Sequence, residues 1–489
     1  MTGGVPTTIK HIPTHELWVK GLIHSYYRRR PDIIGFVNGL PLVFMELKNV
    51  HRNIHVAYDE NFSDYKDTVP HLFHHNAIVI LANGTDARIG SISSRFEHFQ
   101  EWKRLDEGDV GVVDMETLLK GVCTKRTLID LFENFIVFDD SAGQTNKIVA
   151  HNHQFLGVNQ AIAAVRERKQ REGKLGVFWH TQGSGKSYSM VFFTSKIHRK
   201  LGGNFTFLVC TDRKDLDSQI YKTFAGCGVV DNDADPCRVD DSDNLPQLLG
   251  QQKAYLFTLI QKFNQKVDPE KPYSVRNDII VITDEAHRTQ NGLLALNMRN
   301  ALPQANYIGF TGTPLFKDDE ITRRTFGDYV STYDFQRAVA DRATVPLYYD
   351  PRGDKLRVAV DDLNERIAEV LDKLDAEDET VDARVANELG KDYLTMTAEK
   401  RLKQIARDFV SHYSTAWESG KAMLVCLDKL TCVKMHQHIE QYWQERITDL
   451  ERSLLRSTDE QEAIYLRRQI DWMQETRKAV VVSEGCSPS

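Results

Sequence analysis

A glycine-rich segment, HTQGSGKS (180–187), carries the residue types that a phosphate-binding loop needs. Its glycines let the backbone curl so that several N–H groups converge on one phosphate. Lys186 would supply the cation for the β and γ phosphates, and Ser187 a hydroxyl for magnesium. The strict G-x-x-x-x-G-K-[ST] pattern has glycine where this chain has His180. We expect a nucleotide to be bound by Thr181, Gln182, Gly183, Ser184, Gly185, Lys186 and Ser187.

Two adjacent carboxylates, Asp284 and Glu285, follow a short apolar run further along the chain. Such a pair can hold magnesium through water and activate the water that attacks a phosphate. We assign Asp284 to the metal and Glu285 to the base. An incidental Asp-Glu pair in a surface loop is the alternative. The order of the two motifs, each after a predicted strand, favours ATP hydrolysis with ATP and Mg²⁺ as cofactors.

Asp32, Glu46 and Lys48 could perform a second kind of chemistry. Cutting a phosphodiester with magnesium takes carboxylates for the ion and a cation near the attacking water. Asn38-Gly39 predicts a hairpin between Asp32 and Glu46, and Glu46 and Lys48 share one face of their strand. A two-residue turn would pair Asp32 with Met45 and send it to the other face. We therefore predict an odd loop or a bulge, and Asp32 and Glu46 as metal ligands with Lys48 as the cation.

Length and charge limit the remaining possibilities. With 489 residues the chain should form about three domains of about 150 residues each. Its seven cysteines are scattered and form no C-x-x-C pair, which favours a reducing cytoplasm over a disulfide framework. No apolar run approaches the ~20 residues that cross a bilayer. The net charge of -7 indicates that any DNA contact is local.

Three regions of the chain differ in their pattern, and together they predict the α/β class. Residues 1–145 read as a mixed sheet around the hairpin, with a second hairpin at 76–90. Residues 146–335 alternate helices with four short apolar strands, predicted at 175–181, 205–212, 277–285 and 306–314. This pattern indicates a parallel sheet with its chemistry at the carboxyl ends of the strands. Residues 336–489 begin with a charged helical stretch and then offer strand candidates at 421–429 and 478–485. This third region predicts a second α/β domain that is incomplete.

The segments GSGKS (183–187), DEAH (284–287) and TGTP (311–314) resemble motifs I, II and III of superfamily 2 helicases. In that family alanine opens motif I where His180 stands. The resemblance implies RecA-like domains, and it implies that Gln154 reads adenine, with a surface glutamine as the alternative. It also implies a DNA-tracking or coupling role for Asp212, Arg213, Thr311, Gly312 and Thr313.

Four longer segments, at 29–49, 82–88, 284–290 and 309–316, together resemble the motor-nuclease (R, or HsdR) subunit of type I restriction enzymes. The resemblance implies a PD-(D/E)xK endonuclease domain at 1–145 and a RecA-like ATPase domain at 146–335. A helical segment and the start of a second RecA-like domain would follow at 336–489. Members of this family cleave foreign unmodified DNA after ATP-driven translocation. The implied partners are double-stranded DNA and the modification (M) and specificity (S) subunits.

The chain departs from the family at three places. The family's Q-x-x-x-Y motif has its nearest match in Asn61 and Tyr65, with asparagine for glutamine. Family members carry a longer N-terminal region that contributes an acidic residue, and their second motor domain contributes arginines that find no match here. We expect a fragment or a truncated product. A DNA translocase with an inactive nuclease, or a non-catalytic remnant that binds DNA or the methyltransferase, remain alternatives.

Overall fold

The computed structural model of the chain describes residues 11–15, 17–21, 28–231, 237–239, 242–284, 293–313, 325–349, 396–416 and 420–482. The chain divides into two compact units, residues 1–346 and 347–489. Four residues of the predicted helicase-like motifs lie outside the described residues: Glu285, Ala286, His287 and Pro314. Within the described residues no helix is both long enough and apolar enough to span a bilayer.

The first unit contains the described strands. They are β1 (His11–His15), β2 (Val19–Lys20), β3 (Arg28–Arg29), β4 (Ile33–Val37), β5 (Leu40–Leu47), β6 (Ile78–Ala82), β7 (Ala87–Gly90), β8 (Gln100–Glu101), β9 (Ile136–Asp139), β10 (Asn146–Val149), β11 (Lys174–His180), β12 (Thr206–Thr211), β13 (Tyr255–Leu259), β14 (Ile279–Thr283), β15 (Asn306–Thr311) and β16 (Tyr329–Tyr333).

The described α-helices occur in both units. They are α1 (Ser63–Thr68), α2 (Met115–Val122), α3 (Lys125–Asn134), α4 (Asn152–Arg166), α5 (Lys186–Lys200), α6 (Lys214–Gly226), α7 (Leu245–Gly250), α8 (Leu293–Ala301), α9 (Phe335–Ala340), α10 (Glu399–Thr415), α11 (Lys429–Arg456) and α12 (Glu460–Glu475).

The first sheet is mixed, as the sequence predicts, and has the strand order β1-β4-β5-β6-β7-β8. Strands β5 and β6 run parallel, whereas β4 with β5 and β6 with β7 are antiparallel hairpins. A π-helical turn at Ala57–Phe62 leads into α1. Phe62 and Tyr65 from this helical segment pack against Phe44 of β5 and cover one face of the sheet.

The hairpin of β4 and β5 contains the predicted bulge. Asn38 and Gly39 form a two-residue turn with φ of 50° and 86°, the left-handed values that such turns require. The register then shifts between Gly35 and Phe36, because Leu42 is an extra residue on β5. Beyond the bulge Ile33 pairs with Met45. Asp32 is therefore brought opposite Glu46, on the same face of the sheet.

The second sheet is parallel and has the order β13-β12-β14-β15-β11-β16. Strands β12, β14 and β15 are buried at every position, as is typical of parallel strands covered by helices on both faces. Helices α4, α5 and α6 contribute to the core on one face, and α7 and α8 to the core on the other. The sequence predicted the four inner strands of this sheet but not the two edge strands, β13 and β16.

One apolar core joins the two sheets. It contains Val43 and Ile80 of the mixed sheet, Leu128 of α3, and Phe155 and Phe178 of the parallel-sheet region. The mixed sheet and the parallel sheet are therefore packed through a continuous interior within the first unit.

In the second unit α10, α11 and α12 pack around a core that includes Trp443, Ile470 and Met473. The strands predicted at 421–429 and 478–485 are wrong for their described residues, which form no strand there. Met423 and Val425 are 85% and 79% exposed. An extended segment needs a hydrogen-bonded neighbour to become a strand, and these segments have none among the described residues. Asp428 instead caps α11 by accepting from the Thr431 N–H.

Candidate functional site

The predicted phosphate-binding loop follows β11 and ends where α5 begins at Lys186. Gly183 and Gly185 both have φ of 80°, a conformation that β-carbons disfavour, so both positions call for glycine. The loop is closed by a hydrogen bond of 3.3 Å from Ser184 N to Thr181 O. The first turn of α5 leaves its backbone N–H groups directed toward the loop, which is the arrangement that binds phosphate.

Lys186 lies between the loop and the third motif. Its Nζ donates to the carbonyl of His180 at 3.3 Å. A β-carbon added at Gly312 would lie 3.1 Å from Lys186 Nζ and 3.0 Å from Gln182 Cγ. The Thr311-Gly312-Thr313 segment therefore packs directly on the loop, and glycine at 312 leaves the space that Lys186 occupies.

Asp284 lies at the same edge of the sheet, immediately after β14. Its side chain is buried, and its N–H donates to Cys210 O at 3.0 Å. Strand β15 lies between β14 and β11 in the sheet. The carboxyl ends of these three strands therefore bring Asp284, Gly312 and Lys186 together at one edge, although they are distant in sequence.

Gln154 is buried in the first turn of α4 rather than exposed on a helix surface. Its Oε1 accepts from His151 N at 2.8 Å, and its Nε2 donates to Gly185 O at 2.9 Å. One amide hydrogen and one lone pair remain for a ligand. A cavity of about 260 Å³ adjoins these groups. His98 and Gln100, which belong to the mixed-sheet part of the chain, also line this cavity.

Asp212 and Arg213 follow β12 at the same edge. Arg213 Nε lies 3.6 Å from Asp212 Oδ2, and the Arg213 side chain is 56% exposed. Gln261 Nε2 donates to the backbone carbonyl of Asp212 at 2.8 Å. The structure thus fixes the backbone at Asp212 and leaves the guanidinium of Arg213 at the surface.

The second candidate site lies where β5 leaves the mixed sheet. The Asp32 carboxylate accepts from Leu47 N at 2.7 Å, and Lys48 Nζ donates to Glu46 Oε1 at 3.0 Å. The Glu46 side chain is almost completely buried. The bulge thus brings together the three residues that the sequence proposed. Their catalytic roles stay a prediction.

Burial raises the pKa of Glu46 from its ordinary 4.5 to about 7. The hydrogen bond from Lys48 opposes this rise, and the nearby charge of Asp32 adds to it. Near neutral pH the Glu46 carboxyl is therefore partly protonated. A divalent cation would favour the ionised form and compensate the two neighbouring carboxylates.

Tyr65 closes the site from α1, where the family's tyrosine would stand. Its hydroxyl donates to Arg30 O at 3.3 Å. Burial raises the Tyr65 pKa, with a smaller rise from Glu46 and a lowering from a hydrogen bond with Asn61. Arg29 holds this helix in place through a bidentate ion pair with Asp64, with Nη2 to Oδ1 at 2.9 Å. Asparagine therefore stands beside the tyrosine hydroxyl at the position where the family has glutamine.

Asp32 and Glu46 offer oxygen ligands that suit magnesium, which accepts one or two carboxylates and otherwise keeps water. The described residues contain no group of three or more histidine, cysteine, aspartate or glutamate side chains placed to hold a metal. A site of two carboxylates therefore fits Mg²⁺ and does not fit a closed structural zinc site.

Sequence reasoning missed Glu107, which lies between the two sheets. Its Oε1 accepts from Thr332 N at 3.0 Å and from Ser331 Oγ and Arg337 Nη1 at 3.1 Å each. An isolated acidic residue in a polar loop gives no signal in a sequence. Its partners, more than 220 residues away, become visible only in the fold.

The fold and the two sites define a class: a parallel-sheet domain with a candidate phosphate-binding loop, joined to a mixed-sheet domain with a paired-carboxylate site. Residues 153–380 match the SWI2/SNF2 ATPase family, and residues 12–98 match the N-terminal region of type I restriction enzyme R proteins (HSDR_N). The HindI endonuclease subunit of Haemophilus influenzae, a type I restriction enzyme, is 39% identical over 443 residues, 84% of this chain and 41% of that protein.

A Methanocaldococcus jannaschii protein assigned as the type I restriction enzyme MjaIXP endonuclease subunit is 30% identical over 453 residues, 85% of this chain and 42% of that protein. The SauCOLORF180P endonuclease subunit of Staphylococcus aureus is 26% identical over 332 residues, 65% of this chain and 34% of that protein. These matches support an HsdR-type subunit, and the chain spans about two fifths of the length of the first two relatives.

Proposed function

We propose that this chain supplies the ATP-dependent motor and nuclease of a type I restriction-modification system. It would act on foreign unmodified double-stranded DNA, which it would cleave after translocation. One observation carries the proposal. A single compact unit contains both the candidate nucleotide site around Lys186, at the edge of the parallel sheet, and the carboxylate-lysine site around Glu46. An enzyme that couples ATP hydrolysis to DNA cleavage needs both.

ATP and Mg²⁺ are the cofactors of the motor site. The loop at 181–187 would hold the phosphates through its backbone, Lys186 would neutralise them, and Ser187 and Asp284 would hold the metal. Glu285 would activate water. Gln154 would present its remaining donor and acceptor to adenine. The exposed Arg213 and the Thr311-Gly312-Thr313 segment would pass the state of the nucleotide to the DNA.

Asp32 and Glu46 would hold Mg²⁺ at the nuclease site, where the ion supplies a lowered pKa for bound water and charge for the leaving oxygen. The hydrogen bond from Lys48 Nζ to Glu46 Oε1, at 3.0 Å, supports a place for the ammonium beside this ion. The ammonium of Lys48 can position the attacking water or stabilise the phosphate charge. Tyr65 packs against Phe44 of β5 and so holds α1 beside the site.

The modification and specificity subunits are the proposed protein partners, and the cytoplasm is the proposed compartment. The six described cysteines are free thiols, which agrees with a reducing environment. Selection of the DNA sequence would belong to the specificity subunit.

The test is plasmid cleavage by the subunit assembled with its M and S partners. Lys186→Ala should lose both ATPase activity and cleavage. Glu46→Ala should keep DNA-stimulated ATPase activity and lose cleavage. Glu97→Ala, which removes a carboxylate that is 64% exposed, serves as the matched control and should keep both. Cleavage retained by Glu46→Ala would refute the nuclease assignment, and ATPase activity retained by Lys186→Ala would refute the motor.

A further inference from the structure

His180 occupies the first position of the phosphate-binding loop, where the strict pattern has glycine. Its imidazole is fully buried (0% exposed). Nε2 lies 2.7 Å from Ser331 Oγ on the edge strand β16. The rings of His153 and Tyr333 pack around it at centroid distances of 5.2 Å and 5.7 Å. A side chain this large at the base of the loop must be held in one orientation for the loop to keep its shape.

The hydrogen bonds define the proton position on His180. Ser331 has one hydroxyl proton, and it donates this proton to Glu107 Oε1 at 3.1 Å. Ser331 Oγ must therefore accept from His180, whose Nε2 carries the hydrogen. The buried Nδ1 of His180 has no hydrogen-bond partner within the described part of the chain. Burial lowers the pKa of His180 well below its ordinary value, which agrees with a neutral ring.

Glu107 anchors this chain of hydrogen bonds from outside the parallel sheet. It follows β8 of the mixed sheet and binds β16 through Ser331 and the Thr332 N–H. Arg337 compensates its charge at 3.1 Å. A carboxylate with three donors is fixed, so it fixes the hydroxyl and the imidazole that depend on it.

The phosphate-binding loop is itself hydrogen-bonded to β16 and α4. Thr181 N donates to Tyr333 O at 2.9 Å, and Lys186 Nζ donates to His180 O at 3.3 Å. His153 Nε2 lies 3.0 Å from Ser184 O, at the other end of the loop. A shift of β16 or of His180 would therefore move the backbone that must receive the phosphates.

We propose that Glu107, Ser331 and His180 form a positioning relay that keeps the phosphate-binding loop ready for Mg-ATP. The relay makes nucleotide affinity depend on a residue that emerges from the mixed sheet. This inference rests on the proposed function, since it assumes that the loop binds ATP. The three residues are positioning residues, because in this arrangement they act on the nucleotide through the loop.

The test is Mg-ATP binding to the chain by titration calorimetry. His180→Gln keeps an N–H donor at the distance of Nε2, whereas His180→Leu keeps the apolar bulk without a donor. We expect a dissociation constant within about twofold of wild type for His180→Gln. For His180→Leu, Ser331→Ala and Glu107→Ala we expect an increase of about tenfold, the size of one lost hydrogen bond to a fixed group. The double variant His180→Leu/Ser331→Ala should be no weaker than either single variant.

Controls separate this inference from the proposed function and from simple unfolding. Glu97→Ala should bind like wild type, and all titrations run well below the thermal midpoint of the least stable variant. Equal affinity for His180→Gln and His180→Leu, or additive losses in the double variant, would overturn the relay while the proposed function stands. A wild-type chain that binds no Mg-ATP would overturn both.

Discussion

Replacing Glu46 by glutamine tests the proposed nuclease site through its effect on the free energy of unfolding. The pKa of Glu46 rises from 4.5 to about 7 because the carboxyl is buried. Folding therefore favours the protonated form. The stabilisation that protonated Glu46 contributes to the folded state is complete below pH 4.5 and is lost as the pH rises through 7.

The rise of roughly two and a half pH units corresponds to roughly 3 kcal/mol, at about 1.36 kcal/mol per unit. Glutamine has the shape of the carboxyl group but cannot ionise. Glu46→Gln should therefore stabilise the first unit at pH 8.5 by up to roughly 3 kcal/mol, relative to its effect at pH 4.5. Urea unfolding followed by tryptophan fluorescence at several pH values measures the difference.

Magnesium supplies the second arm of this experiment. Ions that bind only the folded site stabilise it by mass action, so millimolar Mg²⁺ should stabilise the wild-type protein at pH 8.5 and should have a smaller effect on Glu46→Gln. Glu97→Gln, a change at an exposed carboxylate, is the control and should show neither effect. A stability change for Glu46→Gln that is the same at pH 4.5 and pH 8.5 would contradict the account of the site.

Three further variants test other parts of the structure. Gly312→Ala should lower Mg-ATP affinity at least several-fold, because its β-carbon would lie 3.1 Å from Lys186 Nζ. The control is Gly108→Ala, whose added β-carbon meets open space. Equal Mg-ATP affinity of the two variants would show that the contact with Lys186 is unimportant. Tyr65→Phe should lower the free energy of unfolding by about 1 kcal/mol and reduce DNA cleavage, with ATPase activity unchanged. An unchanged cleavage rate would show that the Tyr65 hydroxyl has no part in the site. Asp64→Asn should also weaken cleavage, because the bidentate pair with Arg29 places α1, and a wild-type rate would contradict that positioning role.

The sequence could predict which residues gather at the edge around Lys186 because they lie in short motifs at strand ends. Gly183, Gly185 and Lys186 carry their geometric requirements in their own residue types. The bulge near Gly35 could also be predicted, since only an extra residue brings Asp32 to the face of Glu46. In both cases local backbone rules were enough.

Other features depended on tertiary contacts and gave no sequence signal. Strand β16 was missed because its sequence, YVSTY, mixes polar and apolar residues at a sheet edge. Residues 421–429 read as a buried strand but have no neighbouring strand among the described residues, and Met423 and Val425 remain exposed. Glu107 acquires its role only because folding brings Ser331 and Arg337 to it.

Titration of the chain with ATP, in the presence and absence of Mg²⁺, tests whether the edge around Lys186 is a motor site. The geometry around Lys186, Gly312 and Asp284 predicts one Mg-dependent nucleotide site per chain, with affinity lost in Lys186→Ala and weakened in Asp284→Asn. Binding that is unchanged in Lys186→Ala, or that does not depend on Mg²⁺, would contradict the assignment of this edge as the motor site.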